Sequence, residues 1–383
     1  MRFLVIGSGL MGSAVAYDLA HAEGTEEIVL ADLNEDRARE IAQKIESPHI
    51  HAARLDVNYY DDVLAMMTGR DVAISAVLYT HNLLLTKAAI ESGVSLCDLG
   101  GNQEVVDKQM KLHIKAEQAG VTIVPNCGLA PGMANVIAMH GAKSFDIVDQ
   151  LYIRVGGLPQ HPQPPLNYQL VFNPEGLINE YVEEAEVIRE GKLMRVESMT
   201  QLEEIEFPPP FNALEAFHTS GGISSLTKLF EGRVREMDYK SVRYKGHCEK
   251  FKTLLKIGFA SSEPFMAGQG IKTAREMFVE LLKRKLTFHD KDVVLMRITI
   301  SGQRNGNHRT CCWEMVDYYD EKNDITAMMR TTAYPTSIIA QMIARQQIRQ
   351  RGVFLPEQIV EGKPFLEELA KRDINIREYV KNP

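Results

Sequence analysis

Residues 5–12 read Val-Ile-Gly-Ser-Gly-Leu-Met-Gly, and an acid, Asp32, closes the next hydrophobic run. Gly7, Gly9 and Gly12 have G-x-G-x-x-G spacing between a strand predicted over 2–6 and an amphipathic helix predicted over 11–22. Such a turn needs one residue for a sharp reversal, one whose backbone can approach a pyrophosphate, and one that lets helix and strand pack closely. Phosphates then rest on the helix N-terminus, where free N–H groups and the macrodipole favour negative charge. Leu10 and Met11, at that terminus, join the three glycines as expected cofactor contacts. Asp32 follows Gly12 by twenty residues, placed to accept hydrogen bonds from the adenosine ribose hydroxyls. The same carboxylate would repel a 2′-phosphate, and Leu33 beside it brings no cation, so the spacing predicts NAD rather than NADP. Arg37 and Arg39 would weaken that argument by folding back toward Asp32.

The alternation continues beyond Asp32. Strands are predicted over 51–55, 71–77, 95–97 and 121–124, and helices over 37–45, 61–67, 83–91 and 105–118. Strands separated by helices imply right-handed crossovers and a doubly wound parallel sheet, an N-terminal Rossmann domain whose ligand lies beyond the strands' carboxyl ends. Asp56, Val57, Ala76, Tyr79 and His81 follow strand ends and complete the expected cofactor set. Past residue 145 longer, partly alternating strands appear over 148–155, 194–199, 236–244, 293–301 and 310–318, with 324–332 continuing them after a turn. They predict a second α/β domain with a mainly antiparallel sheet. A helix over 337–351 and a tail complete a division into residues 1–130, 131–335 and 336–383, the last returning to the first domain.

The net charge of −8 across 383 residues argues against nucleic acid or an anionic membrane as partner. No apolar run is long enough to span a bilayer, and the N-terminus enters a strand directly, so a cytoplasmic protein is expected. The five cysteines show no C-x-x-C spacing and suggest reduced thiols, and no metal site is expected.

The glycine fingerprint, the turn Gly128-Leu129-Ala130-Pro131-Gly132 and the stretch Gly352-Val353-Phe354-Leu355-Pro356-Glu357 together resemble the saccharopine dehydrogenase family. Further blocks resemble its L-lysine 6-dehydrogenase branch: Asp98–Asn102, Val155–Pro159, Phe172–Leu177, Glu215–Gly222 and Arg243–His247. Saccharopine-forming reductases carry an acid where this chain has Ala130, and an Asn-Arg-Asp-like segment near His218-Thr219-Ser220. Both departures favour lysine. The resemblance implies NAD-linked oxidation of the lysine ε-amine, and a second domain that binds substrate and builds a homodimer or higher assembly.

That reaction needs a proton carrier for an ammonium of pKa about 10.4, a base for water, and a cation for the α-carboxylate. Arg243 suits the last task, because a guanidinium matches a carboxylate bidentately. His218, in a segment that reads as a polar loop, and Asp98, at a strand's carboxyl end, are the catalytic candidates. Thr219 and Tyr168 are expected substrate contacts, while Glu215 and His247 are reserves. Two rivals stand beside this reading. One is a reductase forming a secondary amine such as saccharopine or carboxynorspermidine with NAD(P)H, with Arg233 and Arg235 as its extra cations. The other is a non-catalytic NAD-binding scaffold.

Overall fold

The computed structural model describes residues 1–223, 225–267, 270–288 and 290–381. The chain divides into two compact units, one made of 1–140 with 329–374, the other of 141–328 with 375–383. The divisions therefore fall near 140 and 328 rather than at 130 and 335. The last residues join the second unit, because Arg377–Val380 pairs antiparallel with Asn307–Tyr318.

In the first unit β1 (Arg2–Ile6), β2 (Glu27–Asp32), β3 (Ile50–Arg54), β4 (Val72–Ser75), β5 (Ser95–Asp98) and β6 (Thr122–Val124) form a parallel sheet. Among the described residues its order is Gly352–Val353, β6, β5, β4, β1, β2, β3. The order reverses between β1 and β4, and ligands of doubly wound sheets bind at such a switch point. The strands are nearly continuous runs of Val, Ile, Leu and Ala because helices cover both faces. One face buries Leu4, Ile6, Val29, Ala31, Leu96 and Ile123. Asn34 caps the helix Glu35–Ile45, accepting from the Arg37 N–H, and Asn102 caps Gln103–Met110 through the Val105 N–H. The single helix expected over 105–118 is two, Gln103–Met110 and His113–Gln118. His113 opens the second, and its Nδ1 lies 3.0 Å from the carbonyl of Val353 in the added strand.

The second unit is built on a mixed sheet, mostly antiparallel. Its main path runs Glu203–Ile205, Leu214–His218, Glu236–Tyr244, β7 (Ile147–Pro159), Asp292–Arg304, Asn307–Tyr318, Arg377–Val380. Only the pairing of β7 with Glu236–Tyr244 is parallel along that path among the described residues. Helices Pro174–Val182, His247–Ile257 and Ala274–Leu286 bring Leu177, Tyr181, Phe251, Phe278 and Leu282 together with Phe217 of the sheet. A separate cluster gathers Leu158, Ala216, Val242, Val293 and Leu295 under Phe207 and Phe211. Two expectations are corrected. Residues 324–332 are not a strand: the helix Ala327–Ala344 begins there and continues through Pro335. The segment before Thr219 is not a polar loop but the buried strand Leu214–His218.

Candidate functional site

In the first unit the glycine turn forms a cradle at the carboxyl end of β1. Gly7 has φ +103°, and a Cβ there would sit 2.8 Å from the Ala76 carbonyl oxygen. A Cβ on Gly12 would come within 1.8 Å of the Gly7 carbonyl oxygen, so helix and turn touch backbone to backbone. At Gly9 the opposite holds: φ is −67°, an ordinary value, and an added Cβ would meet nothing within 4 Å. Glycine there leaves open the space in front of the helix N-terminus, which is the requirement for a pyrophosphate. Leu10 is exposed and Met11 half-buried at the same terminus.

Asp32 accepts from the Ser8 N–H (2.6 Å) and Ser8 Oγ (2.8 Å), and from the Asn34 N–H (2.9 Å). Burial alone would raise its pKa. The Ser8 and Asn34 hydrogen bonds and the charge of Arg37 outweigh it and hold the carboxyl below its usual range, so it is ionised at neutral pH. A cleft beside it is lined by Asp32, Leu33, Asn34, Glu35, Asp36 and Arg54. Arg39 does not fold back, since Glu35 (2.6 Å) and Asp36 (3.0 Å) hold it, whereas Arg37 comes close enough for its charge to act on Asp32. Sequence reasoning missed Arg54, an exposed cation that lies opposite Asp32 in the β2–β3 register. Its position becomes visible only when β3 is aligned beside β2.

The remaining expected cofactor residues follow strand ends as well. Asp56, after β3, accepts from the Asn58 N–H at 3.0 Å, and Val57 packs against the core. Ala76 continues β4, its N–H donating to the Ile6 carbonyl at 2.8 Å. Tyr79 to His81 form a helical turn after β4, and the Tyr79 ring lies 3.1 Å from where a Gly101 Cβ would be. Asp98 is a correction. It is fully buried, with one oxygen accepting from Gln109 Nε2 (2.7 Å) and the other from the Gly100 N–H (2.7 Å). Burial raises its pKa against those bonds. A carboxyl so enclosed ties together the loops after β5 and β6 and presents nothing to a substrate.

In the second unit the chemistry gathers on Arg243. The side chain is buried, and it lies 4.9 Å from the Tyr168 ring centre and 5.9 Å from that of Tyr181. Its Nε donates to the Tyr181 hydroxyl at 2.9 Å and its Nη1 to the Val242 carbonyl at 2.8 Å. His247 Nδ1 is 2.9 Å from the Leu166 carbonyl, which can only accept, so that nitrogen carries the proton and Nε2 accepts from Tyr181 at 3.1 Å. Burial and the nearby guanidinium push His247 down to about 3, keeping it neutral. The chain Arg243–Tyr181–His247–Leu166 thus fixes the guanidinium without neutralising it. Among the described residues no carboxylate lies within ion-pair distance of Arg243. Glu215, its partner in the strand register, instead accepts from the Gly246 and Cys248 N–H groups at 2.8 and 2.6 Å. The Tyr168 hydroxyl, also buried, has no hydrogen-bond partner. A desolvated, oriented and unpaired guanidinium is chemically suited to receive a carboxylate.

His218 belongs elsewhere. Its register partner is Lys240, whereas Arg243 pairs with Glu215. Side chains alternate along a strand, so His218, Asp238 and Lys240 lie on one face of the sheet and Glu215, Ser241 and Arg243 on the other. On its own face His218 Nε2 is 3.5 Å from Asp238 Oδ2. Arg154 joins that carboxylate at 2.7 Å and Arg189 at 2.6 Å, with Glu203 bonded to Lys240 at 2.7 Å. His218 therefore lies beside a buried charge network, its two ring nitrogens without a hydrogen-bond partner, on the sheet face opposite Arg243. Thr219 is buried too, its hydroxyl 2.8 Å from that of Ser241. Arg233 and Arg235 are exposed. Sequence reasoning missed Glu180 and Tyr181, which carry no motif and become visible only when their helix packs over Arg243. No cluster of three metal-ligating side chains occurs among the described residues.

Comparison with known proteins agrees with this architecture. Residues 3–124 match the saccharopine dehydrogenase NADP binding domain, and residues 128–374 match the saccharopine dehydrogenase C-terminal domain. Rat mitochondrial alpha-aminoadipic semialdehyde synthase is 22% identical over 97% of this chain, which spans only 47% of that protein. The chain spans about half the length of several such relatives. Carboxyaminopropylagmatine dehydrogenase of Synechocystis is 23% identical, covering 100% of this chain and 98% of that protein. Carboxynorspermidine synthase of Vibrio cholerae is 23% identical, covering 96% and 94%. Apo saccharopine dehydrogenase (L-Glu forming) from Saccharomyces cerevisiae has the same fold, with a TM-score of 0.82 at 18% identity over 100% of both chains. Homospermidine synthase from Legionella pneumophila in complex with NAD follows at 0.68 and 12% identity, covering 99% and 91%.

Proposed function

Because the chain belongs to the saccharopine dehydrogenase family, we propose that it is a nicotinamide-dependent oxidoreductase acting on the side-chain amine of an amino acid. The substrate we propose is L-lysine, oxidised at the carbon bearing the ε-amine. The observation that carries this reading is Arg243, a buried guanidinium without a carboxylate partner. The other buried arginine described in the second unit, Arg154, is satisfied by Asp238 and Glu203. One unpaired buried cation suits a substrate with one carboxylate.

The glycine turn and Asp32 hold the dinucleotide, which when bound accepts the hydride. We assign NAD, because the ionised Asp32 would repel a 2′-phosphate. Arg243 anchors the substrate carboxylate, leaving the β-, γ- and δ-methylenes of lysine to reach toward the ε-carbon that reacts. The ε-ammonium loses its proton, hydride leaves the ε-carbon, and water hydrolyses the resulting imine to an aldehyde and ammonia. The aldehyde then closes on the α-amine.

A second reading is favoured by the two end-to-end relatives named above for secondary-amine chemistry: a dehydrogenase or reductase acting on saccharopine or carboxynorspermidine with NAD(P)H. Purified protein assayed with NAD and NADP against lysine, ornithine, saccharopine and carboxynorspermidine separates the two. The first reading expects lysine-dependent reduction of NAD. Turnover confined to saccharopine or carboxynorspermidine would replace it, and cofactor binding without any turnover would point to a scaffold.

A further inference from the structure

Arg243 has an unpaired counterpart of opposite sign. Glu180 precedes Tyr181 in the helix Pro174–Val182, and Tyr181 is the residue that receives the Arg243 Nε hydrogen bond. The Glu180 backbone carbonyl accepts from the Ser220 N–H at 3.0 Å. Its carboxylate has no hydrogen bond or ion pair with any described residue, and the residue as a whole is half-buried. It stands in the field of Arg243 without closing a salt bridge to it. Two opposite charges in a desolvated site that stop short of ion-pair distance each lack a partner, and one bridging group can supply both. A bare carboxylate ligand would satisfy only the guanidinium. An α-amino acid head satisfies both, because its carboxylate and ammonium stand on one carbon.

We propose that Arg243 and Glu180 together read the zwitterionic head of an α-amino acid, the guanidinium taking the carboxylate and Glu180 the ammonium. This rests on the reading of Arg243 as the carboxylate anchor and deepens it. The pair would select amino acids over ω-amino acids and diamines, and would keep the α-amine from being mistaken for the amine that reacts.

The surroundings fit that role. Burial raises Glu180 to about 7, with Arg243 opposing and Glu183 adding to the rise. Around it, burial lifts Tyr168 to about 12 and Tyr239 higher still, while His247 is held neutral. Arg275, on the helix packed alongside, is held by Glu175 at 2.8 Å and also bonds Asn179. Glu180 is thus the group among these that titrates near neutrality, and binding an ammonium requires it to be ionised. Affinity for an amino-acid head should then rise with pH up to about 7 and level off.

The test measures binding by calorimetry on the full chain with NAD present, using L-norleucine, hexanoate and hexylamine as probes. L-Norleucine should bind, and hexanoate and hexylamine should bind at least about tenfold more weakly. Glu180→Gln should lower norleucine affinity to the level of hexanoate and abolish its pH dependence between 6 and 7.5. It should not weaken hexanoate or NAD binding, since Glu180 opposes a bare carboxylate, and it should not lower the melting temperature. Arg243→Lys should weaken norleucine and hexanoate alike. Equal loss for norleucine and hexanoate in Glu180→Gln, or loss for neither, overturns the role of Glu180. If no probe binds, the anchor role of Arg243 falls and the pair falls with it. Norleucine discrimination as described, but without lysine turnover, keeps the amino-acid head and discards lysine oxidation.

Discussion

Arg243 and Asp32 are two ionised side chains whose tasks can be tested singly. Replacing Asp32 with Ala removes both a ribose acceptor and a charge that opposes a 2′-phosphate. NAD should bind more weakly and the gap to NADP should narrow, as read from the Michaelis constants of both cofactors. A native protein that already prefers NADP would end this assignment and direct attention to Arg54. Arg243→Lys should raise the Michaelis constant for lysine by about 10- to 100-fold with little change for NAD. Losing a charge-assisted hydrogen bond costs about 1.5–3 kcal/mol, and an ammonium cannot reproduce the two-pronged geometry. Lysine saturation at native concentrations would remove Arg243 from the site. For His218 the structure reverses the expectation drawn from sequence. Lying on the sheet face opposite Arg243, it should not shape the rate profile, so His218→Asn should keep the same pH dependence of turnover. That profile should climb through the alkaline range, because the ε-ammonium of free lysine has a pKa of about 10.4 and hydride leaves only from the free amine. A lost or shifted limb in the variant would restore His218 as a proton carrier.

The glycine turn and the charged strand face make predictions as elements. Gly9→Ala should leave the melting temperature unchanged, since φ is −67° and the new methyl meets no atom within 4 Å. It should nevertheless weaken NAD, because the methyl enters the space a pyrophosphate needs. Gly12→Ala should lower stability by about 1–3 kcal/mol as well, since its methyl runs into the Gly7 backbone. Equal melting temperatures for the two variants would contradict the packing described here. On the strand face, burial would raise Asp238, but His218, Arg154 and Arg189 together hold it far below the usual carboxylate range. Its folded pKa is lower than its unfolded one, so its stabilisation is complete above about pH 4 and is lost as pH falls below that. Asp238→Asn should therefore flatten the fall in melting temperature between pH 5 and 2. It should also destabilise the protein at pH 7 by about 3–5 kcal/mol, because Arg154 and Arg189 would lose a shared partner.

For the molecule as a whole, the second unit's sheet ends in short strands, Glu203–Ile205 at one side and Arg377–Val380 at the other. Any edge carries unpaired N–H and C=O groups; the shortness of these strands limits edge pairing, and a second copy of the chain is one way of covering what remains. We expect a homodimer or an assembly containing one, and light scattering that reports a monomer at micromolar concentration would refute it. No described helix is long and apolar enough to cross a membrane.

The parallel sheet and its cradle were legible in the amino-acid order because their signals are local. A strand, three glycines, a helix and an acid follow one another within 31 residues, from Arg2 to Asp32, and each imposes its geometry on its neighbours. The family-like blocks were likewise continuous stretches, and they led to Arg243. What they could not convey was facing. Whether His218 and Arg243 share a surface depends on strand register, and a one-residue step moves a side chain to the other face. Asp98 read as a reactive acid until Gln109 and Gly100 closed around it from other parts of the chain. Glu180 and Tyr181 read as ordinary helix residues until their helix lay over Arg243. Burial, pairing and orientation arise between segments distant in sequence, so only the folded chain decides which charged groups are spent on structure and which remain free for a ligand.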